Sequence, residues 1–217
     1  MMSVHRRHAL ALLFGFLAVL GARAQDVGAP SASTSPPRGE LQGRALLTAL
    51  RGGGYILWFR HTSTDFSKND ERMTGYEDCA RQRNLTDAGR AEARAIGSAI
   101  RDLGIPIGDV LASPFCRTME TARLMFGRAV AAPIVRGGPA QPDVKDRYAE
   151  LRNLLSTPVP GATNLAIASH GDPFRDVAGG PHLAEGEAAV IAPRGQGRGF
   201  VVVARVPKDA WKDLSAP

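Results

Sequence analysis

Two runs of uninterrupted apolar residues limit what this chain can fold into: Tyr55 to Phe59 (YILWF), and Leu165 to Ser169 (LAIAS), where four apolar residues run into a serine. Neither alternates with polar residues, so each reads as a strand buried on both faces. Around them the pattern changes period. Leu41 to Leu50 is apolar-periodic and ends at Gly52-Gly53-Gly54. Thr86 can cap a helix in which Ala91, Ala95, Ile96, Ala99, Ile100 and Leu103 recur on one face, closed by Gly104. Asp109 to Ala112 reads as a short strand, and Ser113-Pro114 as the N-cap and first residue of the helix carrying Arg117 and Thr121. Pro133 to Val135 reads as another strand, and Val144 to Leu155 as a helix. Ala188 to Ala192 and Phe200 to Val206 flank the turn PRGQGRG as an antiparallel hairpin. Strand and helix alternate through the middle of the chain. The expected class is therefore α/β: a three-layer α/β/α sandwich with a mostly parallel central sheet and an antiparallel edge strand.

The chain opens differently. Residues 1–24 join a basic start (Arg6, Arg7), an apolar run of 12 residues from Ala9 to Leu20 and a small-x-small site at Ala22-Arg23-Ala24, which together read as a secretory signal peptide. A membrane-spanning helix needs about 20 apolar residues. Removal of 1–24 takes away three arginines and no acid, so the net charge of +6 becomes +3. So mild a basic bias supports no nucleic-acid partner. Residues 25–39, rich in Pro, Ser and Ala, read as a flexible leader. Residues 40–217 then fit one domain, in a periplasmic or secreted protein.

In open parallel sheets the chemistry collects past the carboxyl ends of the strands. YILWF ends in Arg60-His61. DVLA ends in Ser113-Pro114 with Arg117 one helical turn on, and LAIAS ends in His170-Gly171. Guanidinium groups match phosphate oxygens bidentately and stay charged, so two arginines point to a phosphoryl ligand. A neutral imidazole kept unprotonated by cationic neighbours is a competent nucleophile toward phosphorus. A metal is not expected, because two arginines repel a cation and no Asp/His cluster stands beside them.

These motifs, Arg60-His61-Thr62, Ser113-Pro114-Phe115-Cys116-Arg117-Thr118 with Thr121-Ala122, and Ser169-His170-Gly171, closely resemble those of the histidine phosphatase superfamily, which has the phosphoglycerate mutase-like fold. The resemblance implies that His61 is the nucleophile, that Arg60, Arg117 and His170 bind the phosphate, and that no cofactor is needed. CARQRNLTDAGRAEA, the signal peptide and LAEGEAAVIAP are similar to secreted or periplasmic members, among them lipopolysaccharide core heptose phosphatase-like proteins. The expected substrate is a phosphorylated small molecule or glycan.

Protonating the leaving oxygen needs an acid. The mutase branch uses a Glu after the third strand, where Val135-Arg136-Gly137-Gly138 has none. Glu187 is the first choice, with Glu185 and Asp172 behind it. Cys79 and Cys116 invite a disulfide in an exported chain. A cysteine nucleophile is set aside, since the arginine it requires six residues on is Leu85 after Cys79 and Ala122 after Cys116. Arg81 and Arg83 read as a solvated loop, His182 as structural, and Trp58 and Trp211 as core and surface packing. A phosphomutase, a phosphoprotein phosphatase and a catalytically silent phosphate- or glycan-binding protein stay open as alternatives. The loop Ser63 to Ala80 and the region Arg136 to Asp146 carry no readable motif.

Overall fold

The computed structural model describes residues 40–136 and 146–216. The expected signal peptide and leader, and residues 137–145, lie outside them.

Among the described residues five α-helices and six strands follow one another: α1 Gly43–Gly52, β1 Ile56–Arg60, α2 Asp87–Asp102, β2 Ile107–Ala112, α3 Cys116–Phe126, β3 Val130–Ala131, α4 Ala149–Ser156, β4 Asn164–Ser169, α5 Gly171–Ala178, β5 Ala188–Pro193 and β6 Phe200–Val206. They form one sheet in the order β3-β2-β4-β1-β5-β6. β1 pairs in parallel with β4, Phe59 opposite Ala168 and Arg60 opposite Ser169. β2 pairs in parallel with β4 and β3. β5 is antiparallel to both β1 and β6. The strand running against the rest therefore lies one place in from the edge, because the hairpin adds β6 outside it.

β1 sends successive side chains to opposite faces, and both faces are covered. Leu57 and Phe59 join Leu46, Leu50, Ile96, Ile100 and Met125 under α1, α2 and α3. Ile56 and Trp58 join Leu151, Leu155 and Phe174 under α4 and α5. These are the three expected layers. Trp211 is core, stacked on Phe59 at 5.8 Å. At the far end of the sheet the buried side chain of Asn164 donates to the carbonyls of Leu50 (2.7 Å) and Pro106 (2.9 Å) and accepts from Tyr55 N (3.2 Å). One side chain thus ties α1, β1 and the start of β2 together, which fixes where the opposite ends of the strands emerge.

Several elements differ from their expected form. Pro133 to Val135 is a 3-10 turn, and the edge strand is Val130–Ala131 before it. Pro133 has no N–H for the ladder, and its fixed φ turns the chain away. α3 begins at Cys116 with Phe115 as its N-cap, so Ser113-Pro114 precedes the helix. The Ser113 hydroxyl is instead bonded to His170. α4 begins at Ala149, after a turn over 146–148, while the expected start at Val144 lies outside the described residues. α5 follows His170 directly, with Pro173 in its first turn, where a missing N–H costs nothing.

Candidate functional site

β1, β2 and β4 end side by side, and that register sets the site. His61 N donates to Ser169 O at 3.0 Å, and Gly186 N donates to His61 O at 3.0 Å. The His61 backbone is therefore clamped from two sides, by the end of β4 and by the turn before β5. The residue is 1% exposed. Nδ1 lies 3.0 Å from the Thr62 carbonyl oxygen. A carbonyl can only accept, so Nδ1 carries the proton and Nε2 keeps its lone pair. Burial above all, with Arg117, Arg60 and Arg83 adding repulsion against the hydrogen bond to Thr62, pulls the His61 pKa down to about 3. The ring is a free base at any ordinary pH.

His170 stands at the end of β4, its ring centroid 5.7 Å from that of His61. Its Nε2 is 2.9 Å from Ser113 Oγ at the end of β2. Burial first, then the Arg117 charge, hold its pKa well below the usual value. Arg117, on the first turn of α3, is 5% exposed, and its Nη1 donates to Asp70 Oδ1 at 3.0 Å. Arg60 donates through Nη1 to Leu183 O at 2.8 Å and has Glu185 Oε1 4.0 Å from Nη2. Arg60, His61, Arg117 and His170 thus line one cavity of about 660 Å³.

Gly171 and Gly89 make that convergence possible. A Cβ on Gly171 would lie 2.6 Å from His182 Nδ1, so only glycine lets His182 seat against the turn after His170. A Cβ on Gly89 would lie 2.1 Å from Ser63 O, so α2 can meet the chain just past His61 only through glycine.

The three carboxylates named for proton donation sit in different places. Glu187 does not line the cavity: its two oxygens accept from Arg205 Nε at 2.7 Å and Nη2 at 2.8 Å, and Oε2 also accepts from Ala184 N at 2.7 Å. Although burial opposes it, the Arg205 and Ala184 bonds hold the Glu187 pKa below the ordinary carboxylate range. Glu187 is thus committed to Arg205 and lies off the cavity wall, away from where a leaving group would be bound. Glu185 Oε1 lies 3.7 Å from His61 Nδ1 and accepts from Thr64 Oγ1 at 2.6 Å. It is behind the ring, on the side away from the Nε2 lone pair. Asp172 lines the cavity at its exposed rim, 3.3 Å from His182 Nε2 and 3.5 Å from Arg175.

Cys79 and Cys116 form the disulfide, Cα–Cα 5.7 Å. Beside it the buried Gln82 accepts from Cys116 N at 2.9 Å and donates to Tyr76 O at 2.9 Å. The loop after β1 is thereby fastened to α3 next to Arg117. This fastening brings in residues that sequence reasoning passed over. Arg83 and Asp70 line the cavity, while Arg81 points out to solvent and pairs with Asp78. His182, expected to be structural, also lines the cavity, as does Arg136. The cysteine pair was the sequence signal that could have placed Arg83. Among the described residues no group of acids, histidines or cysteines could hold a metal, and no helix is long and apolar enough to cross a membrane.

Residues 56–138 match the family model described as histidine phosphatase superfamily (branch 1). No curated protein shows significant similarity to the chain. Among solved structures, a candidate phosphohistidine phosphatase SixA from Agrobacterium tumefaciens is 15% identical, covering 71% of this chain and 98% of that one, with a TM-score of 0.49. A phosphoserine phosphatase mutant from Entamoeba histolytica, in complex with phosphoserine, is 12% identical, with 71% and 98% coverage and a TM-score of 0.48. The protein histidine phosphatase SixA complexed with tungstate is 19% identical, with 68% and 96% coverage and a TM-score of 0.45.

Proposed function

We propose, from a chain whose residues 56–138 match the histidine phosphatase superfamily, that this protein is a phosphomonoesterase working through a phosphohistidine on His61. The observation that carries the reading is the setting of His61: a buried ring whose Nδ1 lies 3.0 Å from the Thr62 carbonyl oxygen, which leaves Nε2 for attack, beside Arg60 and Arg117 in one cavity. In the first step Nε2 attacks phosphorus, the P–N bond forms, and the P–O bond to the leaving group breaks. Glu185, 3.7 Å from Nδ1, steadies the positive charge that the ring acquires. Arg60, Arg117 and His170 hold the phosphoryl oxygens, and Asp70 yields its place on Arg117 to them. In the second step water attacks phosphorus and passes a proton to the carboxylate that had protonated the leaving oxygen, the P–N bond breaks, and the ring returns to its free-base form.

The leaving oxygen needs a proton when it departs as an alcohol. With Glu187 held by Arg205 and Glu185 behind the ring, we assign that role to Asp172, the remaining candidate on the cavity wall. Export is part of the same reading: residues 1–24 carry the features of a signal peptide, and the Cys79–Cys116 disulfide suits an oxidising compartment. The silent phosphate- or glycan-binding reading draws support from the commitment of Glu187 to Arg205. Phosphate release from a panel of phosphomonoesters separates the two. Steady release lost in His61→Ala is the expected result, and tight binding without release would favour the binding protein.

A further inference from the structure

We propose that Arg205 is a positioning residue for the phosphate pocket: it fixes the loop 181–187, and through the Leu183 carbonyl of that loop it sets where the Arg60 guanidinium stands. The proposal rests on the phosphatase reading in taking Arg60 as a ligand of the phosphate.

The loop joins two sets of bonds. On one side stands Arg205, the charged residue of β6. It donates through Nη1 to Pro181 O at 2.9 Å, through Nη2 to His182 O at 2.9 Å, and through Nε and Nη2 to the two oxygens of Glu187 at 2.7 Å and 2.8 Å. Glu187 Oε2 closes back on the loop by accepting from Ala184 N at 2.7 Å. On the other side the same loop meets the end of β1. Leu183 O accepts from Arg60 Nη1 at 2.8 Å, Glu187 O accepts from Arg60 N at 3.1 Å, and Gly186 N donates to His61 O at 3.0 Å. Glu185 Oε1 accepts from Thr64 Oγ1 at 2.6 Å and lies 3.7 Å from His61 Nδ1. The carbonyls of 181 and 182 are thus held by Arg205, and the next carbonyl along holds Arg60.

The chemistry of the donor explains why an arginine stands on β6. A planar guanidinium presents its N–H groups as a fixed fork, so two backbone carbonyls and a carboxylate are held at set angles to one another. A lysine ammonium is a point charge on a flexible stem; it can keep Glu187 but not both carbonyls with it. Arg60, by contrast, has little else to orient it. Among the described residues its guanidinium makes one hydrogen bond, to Leu183 O, while Glu185 Oε1 stands 4.0 Å from Nη2, outside hydrogen-bond distance. A shift of the Leu183 carbonyl therefore moves Arg60 relative to the phosphoryl oxygens, and displacements of that kind weaken a bidentate grip.

A double-mutant cycle on ligand binding tests this route. Phenylphosphonate, which is not turned over, is titrated by NMR into the purified wild type, Arg205→Lys, Arg60→Gln and the double variant. The expected result is that Arg205→Lys weakens binding about tenfold beside the native Arg60 and less than about twofold in the Arg60→Gln background, a coupling of the size seen within one hydrogen-bond network. A residue that only stabilised the fold would weaken binding alike in both backgrounds. Equal losses overturn the proposal, as does wild-type binding in Arg205→Lys. Should Arg205→Lys fail to fold, Glu187→Gln loosens the same grip from its other end: a loss of about threefold that vanishes in Arg60→Gln is expected, and no loss, or a loss kept there, overturns the proposal. Absence of phosphate release from phosphomonoesters with the coupling intact would overturn the phosphatase reading alone.

Discussion

Two carboxylates two residues apart, Glu185 and Glu187, show how finely position decides role. Glu185 reaches back toward His61, while Glu187 is gripped by Arg205 across the β5–β6 hairpin. Glu187→Gln should therefore cost about 1–3 kcal/mol of stability, the worth of charged hydrogen bonds. It should leave the dependence of rate on leaving-group basicity unchanged. Thermal melts and a series of aryl and alkyl phosphates check both halves. Asp172→Asn should instead slow alkyl phosphates about tenfold to a hundredfold more than an activated aryl phosphate, whose leaving group needs no proton. A further test falls on Gly171→Ala, whose methyl would meet His182 Nδ1 at 2.6 Å. The ring must then leave its seat beside Arg175 and Asp172, so kcat/KM should fall by more than thermal stability does.

At the scale of elements, the loop between β1 and α2 owes its place to covalent and polar fastening rather than to a core. The Cys79–Cys116 bridge spans 37 positions, so chain entropy alone assigns it about 4 kcal/mol. Reduction, or Cys79→Ser/Cys116→Ser, should lower the midpoint of urea unfolding. It should also raise KM for phosphate esters, because Asp70 and Arg83 meet Arg117 from that loop. The strands and the positions of Arg60, His61, Arg117 and His170 were legible in the sequence because apolar runs announce buried strands and parallel sheets gather their chemistry at one end. Side-chain direction was not legible. Whether residue 187 turns toward a pocket or toward Arg205 depends on hairpin register, in which Ala189 opposes Arg205. Arg205, a lone charge in FVVVARV, was the available hint. Pro133 misled in the opposite sense, as a β-branched run whose first residue cannot donate to a ladder.

For the whole molecule, the buried histidines tie stability to pH. The His61 pKa falls from 6.5 in the unfolded chain to about 3 in the folded one, and that of His170 falls as well. Between those values the unfolded state binds more protons, so stability rises with pH and is lost as pH drops from about 6.5 toward 3. Carboxylates with lowered pKa, such as Glu92 and Glu187, add to the loss only below their ordinary value of 4.5. Melting temperature should thus decline already between pH 7 and 5, and less steeply in His61→Ala. Burial above all keeps the His61 ring neutral, and the arginines that reinforce this also ready the cavity for an anion. The most direct measurement traps that step: the purified protein is quenched in alkali during turnover of a phosphomonoester labelled in its phosphate, and label on the chain is located. The account predicts an acid-labile, base-stable phosphoenzyme on His61, with label and at least about a thousandfold of the rate lost in His61→Ala. Turnover that survives His61→Ala would contradict it.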